Sequence, residues 1–110
     1  MNNDIFEQLS TVIASRRNRD PDSSYVASLF HKGQDKILEK VGEEAIETIL
    51  ASKTGDADKI IYETADLWFH SMIMLSYHGL SVDDVANELA RRFGVSGHHE
   101  KKMRPTTSCD

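Results

Sequence analysis

The segment covering residues 60–77 places the strongest constraint on the fold. At about 100° per residue, it is apolar around nearly the whole circumference of a helix. The polar strip that interrupts it is narrow and consists of Lys59, Glu63, Asp66 and His70. A helix that is apolar on almost every side is normally buried. We therefore expect this helix to pack against others, with its acidic residues confined to a cleft.

The preceding segment, residues 35–52, predicts a conventional amphipathic helix. We expect its inward stripe to contain Ile37, Leu38, Val41, Ala45, Ile46 and Ile49. Glu44 lies at the border of this apolar arc, whereas Glu47 lies further toward the polar side. Gly42 inside the helix costs roughly 1 kcal/mol relative to alanine. Its presence suggests that another helix or a ligand approaches the backbone there.

The rest of the chain also has helical periodicity, and no strand-like alternation competes with it. Helices are expected over residues 4–17, over a short stretch that ends before Gly33, and over residues 82–93. Ser81 with Asp84 resembles a capping box for the last of these. The predicted fold is all-α, a bundle of about four to five helices. We expect homodimerisation to complete it, because so wide an apolar face needs a partner.

Length and composition exclude several classes of protein. At 110 residues the chain is the size of one domain, which we expect over residues 1–104, with a disordered tail at 105–110. The net charge of −5 argues against nonspecific nucleic-acid binding. No signal sequence and no membrane span of about 20 apolar residues are recognised, so we expect a cytoplasmic protein. The single cysteine, Cys109, excludes an internal disulfide and a cysteine-based zinc site.

Two carboxylate pairs carry the functional signal. Glu44 with Glu47, and Glu63 with Asp66, are each spaced i, i+3, which places both side chains of a pair on one helix face. Repulsion opposes this arrangement unless a cation lies between the pairs. Mg²⁺ prefers oxygen ligands and is usually shared between a few carboxylates and the phosphates of a substrate. The spacing therefore predicts a Mg²⁺ site for a phosphate chain, and the alternative is a solvated acidic face paired with lysines.

A family resemblance rests on this pattern and on a longer run of residues. The pattern Glu-x-x-Glu, a spacer and Glu-x-x-Asp is matched by the four acids. The more specific marks are Ser24-Tyr25, Leu29, Gly33, Lys36-Ile37, the run from Lys40 to Glu44, Glu47, the run from Glu63 to Leu67, Ser96-Gly97, Glu100-Lys101 and Arg104. With these residues the chain resembles the phosphoribosyl-ATP pyrophosphatase family, part of the all-α, MazG-like nucleoside triphosphate pyrophosphohydrolase superfamily.

The resemblance implies hydrolysis of phosphoribosyl-ATP to phosphoribosyl-AMP and pyrophosphate, the second step of histidine biosynthesis, by a Mg²⁺-dependent homodimer. The cyclohydrolase that is fused to some members binds zinc through cysteines, so it is not expected here. By hypothesis the metal ligands are Glu44, Glu47, Glu63 and Asp66. Catalytic roles are assigned to Glu43, Glu44 and Glu47, and the choice of general base stays open between Glu43 and Glu47.

Basic and small residues are candidates for binding the substrate. Lys40, Lys101 and Arg104 are predicted to stabilise charge on the leaving pyrophosphate, and Ser96 with the Gly97 amide to bind the phosphoribosyl end. An alternative for Lys40 is charge compensation of its acidic neighbours. His70 is either a partner that orients the Asp66 carboxylate or a hydrogen-bonded core histidine. No role is assigned to Arg16, Arg17, His98 and His99.

Three other classes of protein compete with this interpretation. A di-iron or di-manganese bundle needs Glu-x-x-His, and no glutamate here has a histidine three residues later. A house-cleaning pyrophosphatase acting on deoxynucleotides shares the acidic quartet but not the C-terminal Ser-Gly-x-x-Glu-Lys region. A noncatalytic helical dimerisation module would pair the acids with cations of a partner. The second and third alternatives stay open at this point.

Overall fold

The computed structural model describes residues 3–94. Five helices follow one another along this part of the chain, and no strand occurs in it, which confirms the all-α class. They are α1 (Asn3–Arg16), α2 (Tyr25–Lys32), α3 (Gln34–Thr54), α4 (Ala57–Tyr77) and α5 (Val82–Phe93). None of these helices combines the length and the apolarity that a bilayer span requires. The chain divides into two compact units, one with α1 to α4 and the other beginning at Ser81.

Local capping signals fix where the helices of the first unit begin and end. The Ser24 side chain accepts a hydrogen bond from the Ala27 amide at 3.1 Å and starts α2. Gly33, with φ of +99°, ends α2 by donating its N–H to the Leu29 carbonyl, and α3 begins at the next residue. This confirms Gly33 as a helix stop, a position where a positive φ favours glycine. Asp56 caps the first amides of α4 with its carboxylate.

The long helices α3 and α4 form a hairpin that organises the unit. Only Gly55 and Asp56 separate them, and they make the most extensive helix contact in the described chain. The residues that are most deeply buried come from all four helices and are Ile13, Val26, Ala27, Leu29, Ile37, Ala51, Met72 and Ile73. The hairpin therefore provides the frame on which α1 and α2 pack.

The outward sides of α3 and α4 correct one prediction. Leu38, Ile46 and Ile49 were expected on the inward stripe, yet all three are exposed, and Ile49 is 62% exposed. The physical reason is that the other helices of this unit cover only one side of the hairpin. Two exposed apolar stripes remain, which we call the α3 stripe (Ile46, Ile49 and Leu50) and the α4 stripe (Ile61, Tyr62 and Trp68). The composition of α4 predicted burial on nearly every side. This prediction is wrong, because the α4 stripe is exposed.

Arg17 has a structural role that the sequence did not assign. Its Nη1 donates a hydrogen bond to the Ser76 carbonyl at 2.9 Å, and its guanidinium lies 4.7 Å from the centre of the Phe30 ring. Cations near a helix C-terminus satisfy carbonyls that lack a partner within the helix. Arg17 therefore ties the turn between α1 and α2 to the last turn of α4.

The second unit contains α5, whose start matches its sequence signal. Ser81 and Asp84 form the predicted capping box, in which the Ser81 amide donates to Asp84 Oδ2 at 2.9 Å. Later in the helix, Arg91 and Arg92 both donate to the Glu88 carboxylate. Hydrogen bonds from Arg91 and then Arg92 lower the pKa of Glu88 to about 2. The unit is thus an independently capped helix with a paired charge cluster.

A pair of glycine substitutions tests the backbone assignments. An added Cβ at Gly42 would meet no atom of the described residues within 4 Å, so the expected close approach of another helix does not occur within this part of the chain. We predict that Gly42→Ala stabilises the protein by about 1 kcal/mol. Gly55→Ala should instead destabilise it by about 1 kcal/mol, because φ is +72° there. Urea unfolding measures both effects, and a destabilising Gly42→Ala would contradict the assignment.

Candidate metal and phosphate site

The hairpin brings together three potential metal ligands from its two helices. One donor atom each from Glu44, Asp66 and His70 lie within 4.8 Å of one another. Glu44 is 8% exposed and His70 is 3% exposed, while Asp66 is half-buried. The burial of the Glu44 carboxylate distinguishes it from a solvated acidic face, because removing charge from water is costly unless an opposite charge is present.

Thr48 holds the two helices together at the level of this cluster. Its Oγ1 lies 2.7 Å from the Glu44 carbonyl oxygen and 3.1 Å from the Glu63 carbonyl oxygen. The first contact is the usual return of a threonine hydroxyl to the preceding helical turn. The second reaches across to α4 and fixes its register. The role of Thr48 was not predicted from the sequence. A threonine one turn after Glu44 on an amphipathic helix could have indicated a contact between helices.

Within residues 3–94, the charge of the buried Glu44 carboxylate is only partly compensated. Lys40 Nζ lies 3.9 Å from Glu44 Oε2, too far for a hydrogen bond, and within residues 3–94 no donor forms a hydrogen bond with this carboxylate. Burial raises the pKa of Glu44 above its ordinary value, and repulsion from Asp66 raises it further, against the opposing effects of His70 and Lys40. A buried, under-compensated carboxylate facing a second one fits a divalent cation, whose preferred ligands are oxygens.

The other predicted ligands lie nearby but outside the cluster. Glu63 is half-buried and contributes to the repulsion that raises the pKa of Glu44. Glu47 is exposed, and so is Glu43, whose Oε1 lies 3.6 Å from Lys40 Nζ. The hairpin therefore brings two of the four predicted ligands, Glu44 and Asp66, together. The predicted substrate residues Ser96, Gly97, Lys101 and Arg104, and the unassigned His98 and His99, lie outside the described residues.

Lys40 is the cation that borders the cluster. It contacts Glu43 and Glu44 from one turn earlier on α3. The negative charge that Tyr25 carries when ionised is the largest influence that raises the pKa of Lys40, and Glu43 and Glu44 add to it. The ammonium therefore stays charged at neutral pH. Both the predicted role in phosphate binding and the alternative of charge compensation are compatible with this position.

The His70 ring is hydrogen-bonded on both nitrogens. Nδ1 lies 2.8 Å from the backbone carbonyl oxygen of Asp66, and Nε2 lies 2.7 Å from the hydroxyl oxygen of Tyr25. The Asp66 carboxylate is further away, with Oδ1 3.9 Å from Nδ1. Of the two alternatives from the sequence, the hydrogen-bonded buried histidine describes this arrangement. Tyr25 was identified from the sequence only as part of the family motif, and its contact with His70 was not predicted.

Comparison with known proteins assigns the chain to a family. A family model described as phosphoribosyl-ATP pyrophosphohydrolase matches residues 6–93. This chain belongs to the phosphoribosyl-ATP pyrophosphohydrolase family. Among individual relatives, a phosphoribosyl-ATP pyrophosphatase from Hydrogenovibrio crunogenus is 55% identical over 108 residues, which cover 94% of this chain and 96% of the relative.

Family membership confirms the resemblance drawn from the sequence. It makes the chain a hydrolase of the phosphoribosyl-ATP pyrophosphohydrolase class, and it agrees with an all-α fold. The matched residues include Glu43, Glu44, Glu47, Glu63 and Asp66. The comparisons name neither a metal nor an oligomeric state, so these two points belong to the proposal below.

The raised pKa of Glu44 leads to a prediction about the stability of the protein without bound metal. A carboxyl whose pKa is higher in the folded state favours folding only while it is protonated. This contribution is complete below the ordinary pKa and is lost as the pH rises through the folded-state value. In chelator at neutral pH, Glu44→Gln should therefore be more stable than the wild type by about 1 kcal/mol.

Thermal unfolding in chelator at pH 4 and pH 7.5 checks this expectation. The stability gap between Glu44→Gln and the wild type should widen at the higher pH. Glu39→Gln is the matched control, because Glu39 is an exposed residue of the same helix, and it should show no such widening. An equal gap for Glu44→Gln at both pH values would contradict the account of Glu44.

Proposed function

We propose that the chain hydrolyses phosphoribosyl-ATP between its α and β phosphates, giving phosphoribosyl-AMP and pyrophosphate, with Mg²⁺ as the cofactor. The substrate class follows from family membership and from the name of the relative that is 55% identical. The single observation that carries the metal-dependent part is the buried Glu44 carboxylate, which faces Asp66 and has no hydrogen-bond donor among residues 3–94. A cytoplasmic location remains part of this proposal.

The proposed Mg²⁺ ligands are carboxylates of α3 and α4. Glu44 and Asp66 supply the inner pair, and Glu47 and Glu63 lie one helical turn from them on the same helices. Carboxylate oxygens are the donor set that suits Mg²⁺, which leaves positions for water and phosphate. When bound, Mg²⁺ neutralises phosphate oxygens and makes a bound water easier to deprotonate. The number of ions, one or two, stays open.

The remaining chemistry needs a base and a cation. Water attacks the α-phosphorus, its proton passes to a carboxylate, and the bond from the α-phosphorus to the bridging oxygen breaks, so that pyrophosphate leaves. Glu43 and Glu47 are the candidate bases. Glu43 is already paired with Lys40 at 3.6 Å, which favours Glu47. We assign to the Lys40 ammonium the role of neutralising charge on the leaving pyrophosphate.

The phosphoribosyl end of the substrate is assigned to the C-terminal residues. We retain Ser96 and Gly97 for this end, and Lys101 and Arg104 for the pyrophosphate, as predictions from sequence. We also retain residues 1–104 as one functional domain. The family match supports this grouping, because it runs from residue 6 to residue 93 and so includes helices of both compact units.

We further propose that the active form is a homodimer. The α3 and α4 stripes expose large apolar side chains, and Ile61 alone is 67% exposed. Exposed apolar surface of this kind typically marks an interface between proteins. A second copy of the chain is the proposed occupant, since twofold dimers are the commonest closed assembly.

Incubation with phosphoribosyl-ATP and with a panel of nucleoside triphosphates tests the proposal. Pyrophosphate and orthophosphate release are scored with Mg²⁺ and with chelator. We expect pyrophosphate from phosphoribosyl-ATP only when Mg²⁺ is present. Turnover restricted to ordinary triphosphates would instead support a house-cleaning pyrophosphatase. No turnover of any substrate, together with no effect of Mg²⁺ and pyrophosphate on melting, would support a noncatalytic dimerisation module.

A further inference from the structure

His70 is the one member of the Glu44, Asp66 and His70 cluster that is not an oxygen ligand. Its Nδ1 contacts the Asp66 carbonyl oxygen at 2.8 Å. A carbonyl oxygen can only accept, so Nδ1 carries the proton. In a neutral ring Nε2 then has the only free lone pair. The Tyr25 hydroxyl donates to that lone pair at 2.7 Å, so both ring nitrogens already have protein partners.

An unoccupied imidazole nitrogen at this place would change the character of the site. Two carboxylates and one histidine form a ligand set that suits Mn²⁺, Fe²⁺, Co²⁺ and Zn²⁺, whereas Mg²⁺ strongly prefers oxygen. Such sites generally bind the later transition metals more tightly, so a protein that uses Mg²⁺ must select through the ligands it offers. The imidazole of His70 is close enough to take part, since one of its ring nitrogens lies within 4.8 Å of a carboxylate oxygen of both Glu44 and Asp66.

Tyr25 is positioned to keep the His70 imidazole from binding a metal ion. It is the first residue of α2, directly after the capping residue Ser24. Its ring meets the His70 ring edge-on, with centroids 5.7 Å apart and an interplanar angle of 84°. The backbone cap and the ring contact therefore fix the hydroxyl in front of Nε2. Tyr25 remains about half exposed, so the hydroxyl can be removed without leaving a cavity in the core.

We propose that Tyr25 is a metal-selectivity residue, which keeps the His70 imidazole out of the metal's coordination and leaves the site to oxygen ligands. The inference rests on the proposed function, because it presumes that the acidic cluster binds a divalent ion. Tyr25 acts through His70 and is a positioning residue. Its role predicts a change in which metal is bound, whereas a merely structural hydrogen bond would weaken the binding of all metals alike.

The test compares Mg²⁺ and Co²⁺ binding to the whole chain by calorimetric titration. Tyr25→Phe keeps the ring and removes the donor. We expect it to raise the affinity for Co²⁺ relative to Mg²⁺ by about five- to tenfold, the effect of releasing one hydrogen bond. The visible absorption of bound Co²⁺ should also change in the way that a nitrogen ligand causes. Adding His70→Gln to Tyr25→Phe should abolish both changes.

Tyr77→Phe is the matched control, because the Tyr77 hydroxyl has no hydrogen-bond partner among residues 3–94, and it should leave the affinity ratio unchanged. An unchanged ratio in folded Tyr25→Phe, or a ratio that stays raised without the imidazole, would overturn the inference. If Tyr25→Phe does not fold, the ¹⁵N NMR spectrum of the wild type provides the test. A His70 Nε2 signal characteristic of direct Co²⁺ or Zn²⁺ ligation would contradict the inference. If the wild type binds no divalent ion, both the proposed function and this inference are overturned. If Glu44→Gln loses Mg²⁺ binding but Tyr25→Phe has no effect, only this inference is overturned.

Discussion

Replacement of Glu44 by glutamine is expected to lower kcat/KM for phosphoribosyl-ATP by a factor of about 10² to 10³. Glutamine has nearly the same size and leaves the buried packing in place, but it removes the anionic oxygen that we assign to the metal. Because Glu44 is buried opposite Asp66, no exposed side chain can take its place. The rate of pyrophosphate release at saturating Mg²⁺ measures the effect.

Two further variants make this prediction specific. Asp66→Asn should cause a loss of similar size, and the double variant should be little worse than either single one, because both side chains serve the same ion. Glu39→Gln on the outer side of α3 should retain activity within about twofold, since its only described ion pair is the exposed contact with Lys36 at 3.3 Å and such pairs contribute little. Wild-type activity in Glu44→Gln would contradict the assignment.

Introducing a charge into the exposed apolar stripes is expected to dissociate the proposed dimer. Ile61→Asp on the α4 stripe should weaken self-association by roughly 3 kcal/mol or more, about a hundredfold in the dissociation constant. The dimer is expected to weaken because an apolar interface removes the hydration of the carboxylate and offers it no partner. Sedimentation equilibrium across a range of protein concentrations measures the change in mass.

Ile5→Asp is the matched control for that experiment. Ile5 is an exposed apolar residue on α1, outside both stripes, so the same substitution there should leave the dimer intact. A wild type that is monomeric at all concentrations, or an Ile61→Asp variant that dimerises as the wild type does, would contradict the proposed interface. Equal disruption by both variants would show that general destabilisation rather than the stripe is responsible.

Much of the secondary structure was predictable, because the signals that set it are local. Gly33 ends α2, and the Ser81 capping box starts α5, as the sequence indicated. The Asp56 carboxylate begins α4 at Ala57, one turn before the apolar pattern of the helix starts at Ile60.

Exposure was less predictable than helix position. The periodicity of α3 identified Ile46 and Ile49 as residues that avoid water, but both are exposed. Periodicity shows which side of a helix is apolar, and it does not show whether the same chain or another copy covers that side. The same limitation applies to α4, where only part of the apolar circumference, including Met72 and Ile73, is buried within the described chain.

The acidic residues of the candidate site were predicted from the sequence, but the contacts between residues far apart in the chain were not. Helical spacing alone brought attention to Glu44 and Asp66, which the hairpin places together. The Tyr25 contact with His70 joins residues 45 positions apart, and the Thr48 hydroxyl on α3 contacts the Glu63 backbone carbonyl on α4. No pattern within a single helix encodes such pairings, because they depend on how the helices are aligned after packing.

The central claim is that carboxylates from α3 and α4 jointly bind a divalent ion. Calorimetric titration of Mg²⁺ in the presence of pyrophosphate, into the wild type and into the Glu44→Gln and Asp66→Asn variants, tests it most directly. We predict saturable binding to the wild type and a loss of at least about tenfold in affinity for each variant. Mg²⁺ binding of the same strength in all three proteins would contradict the claim.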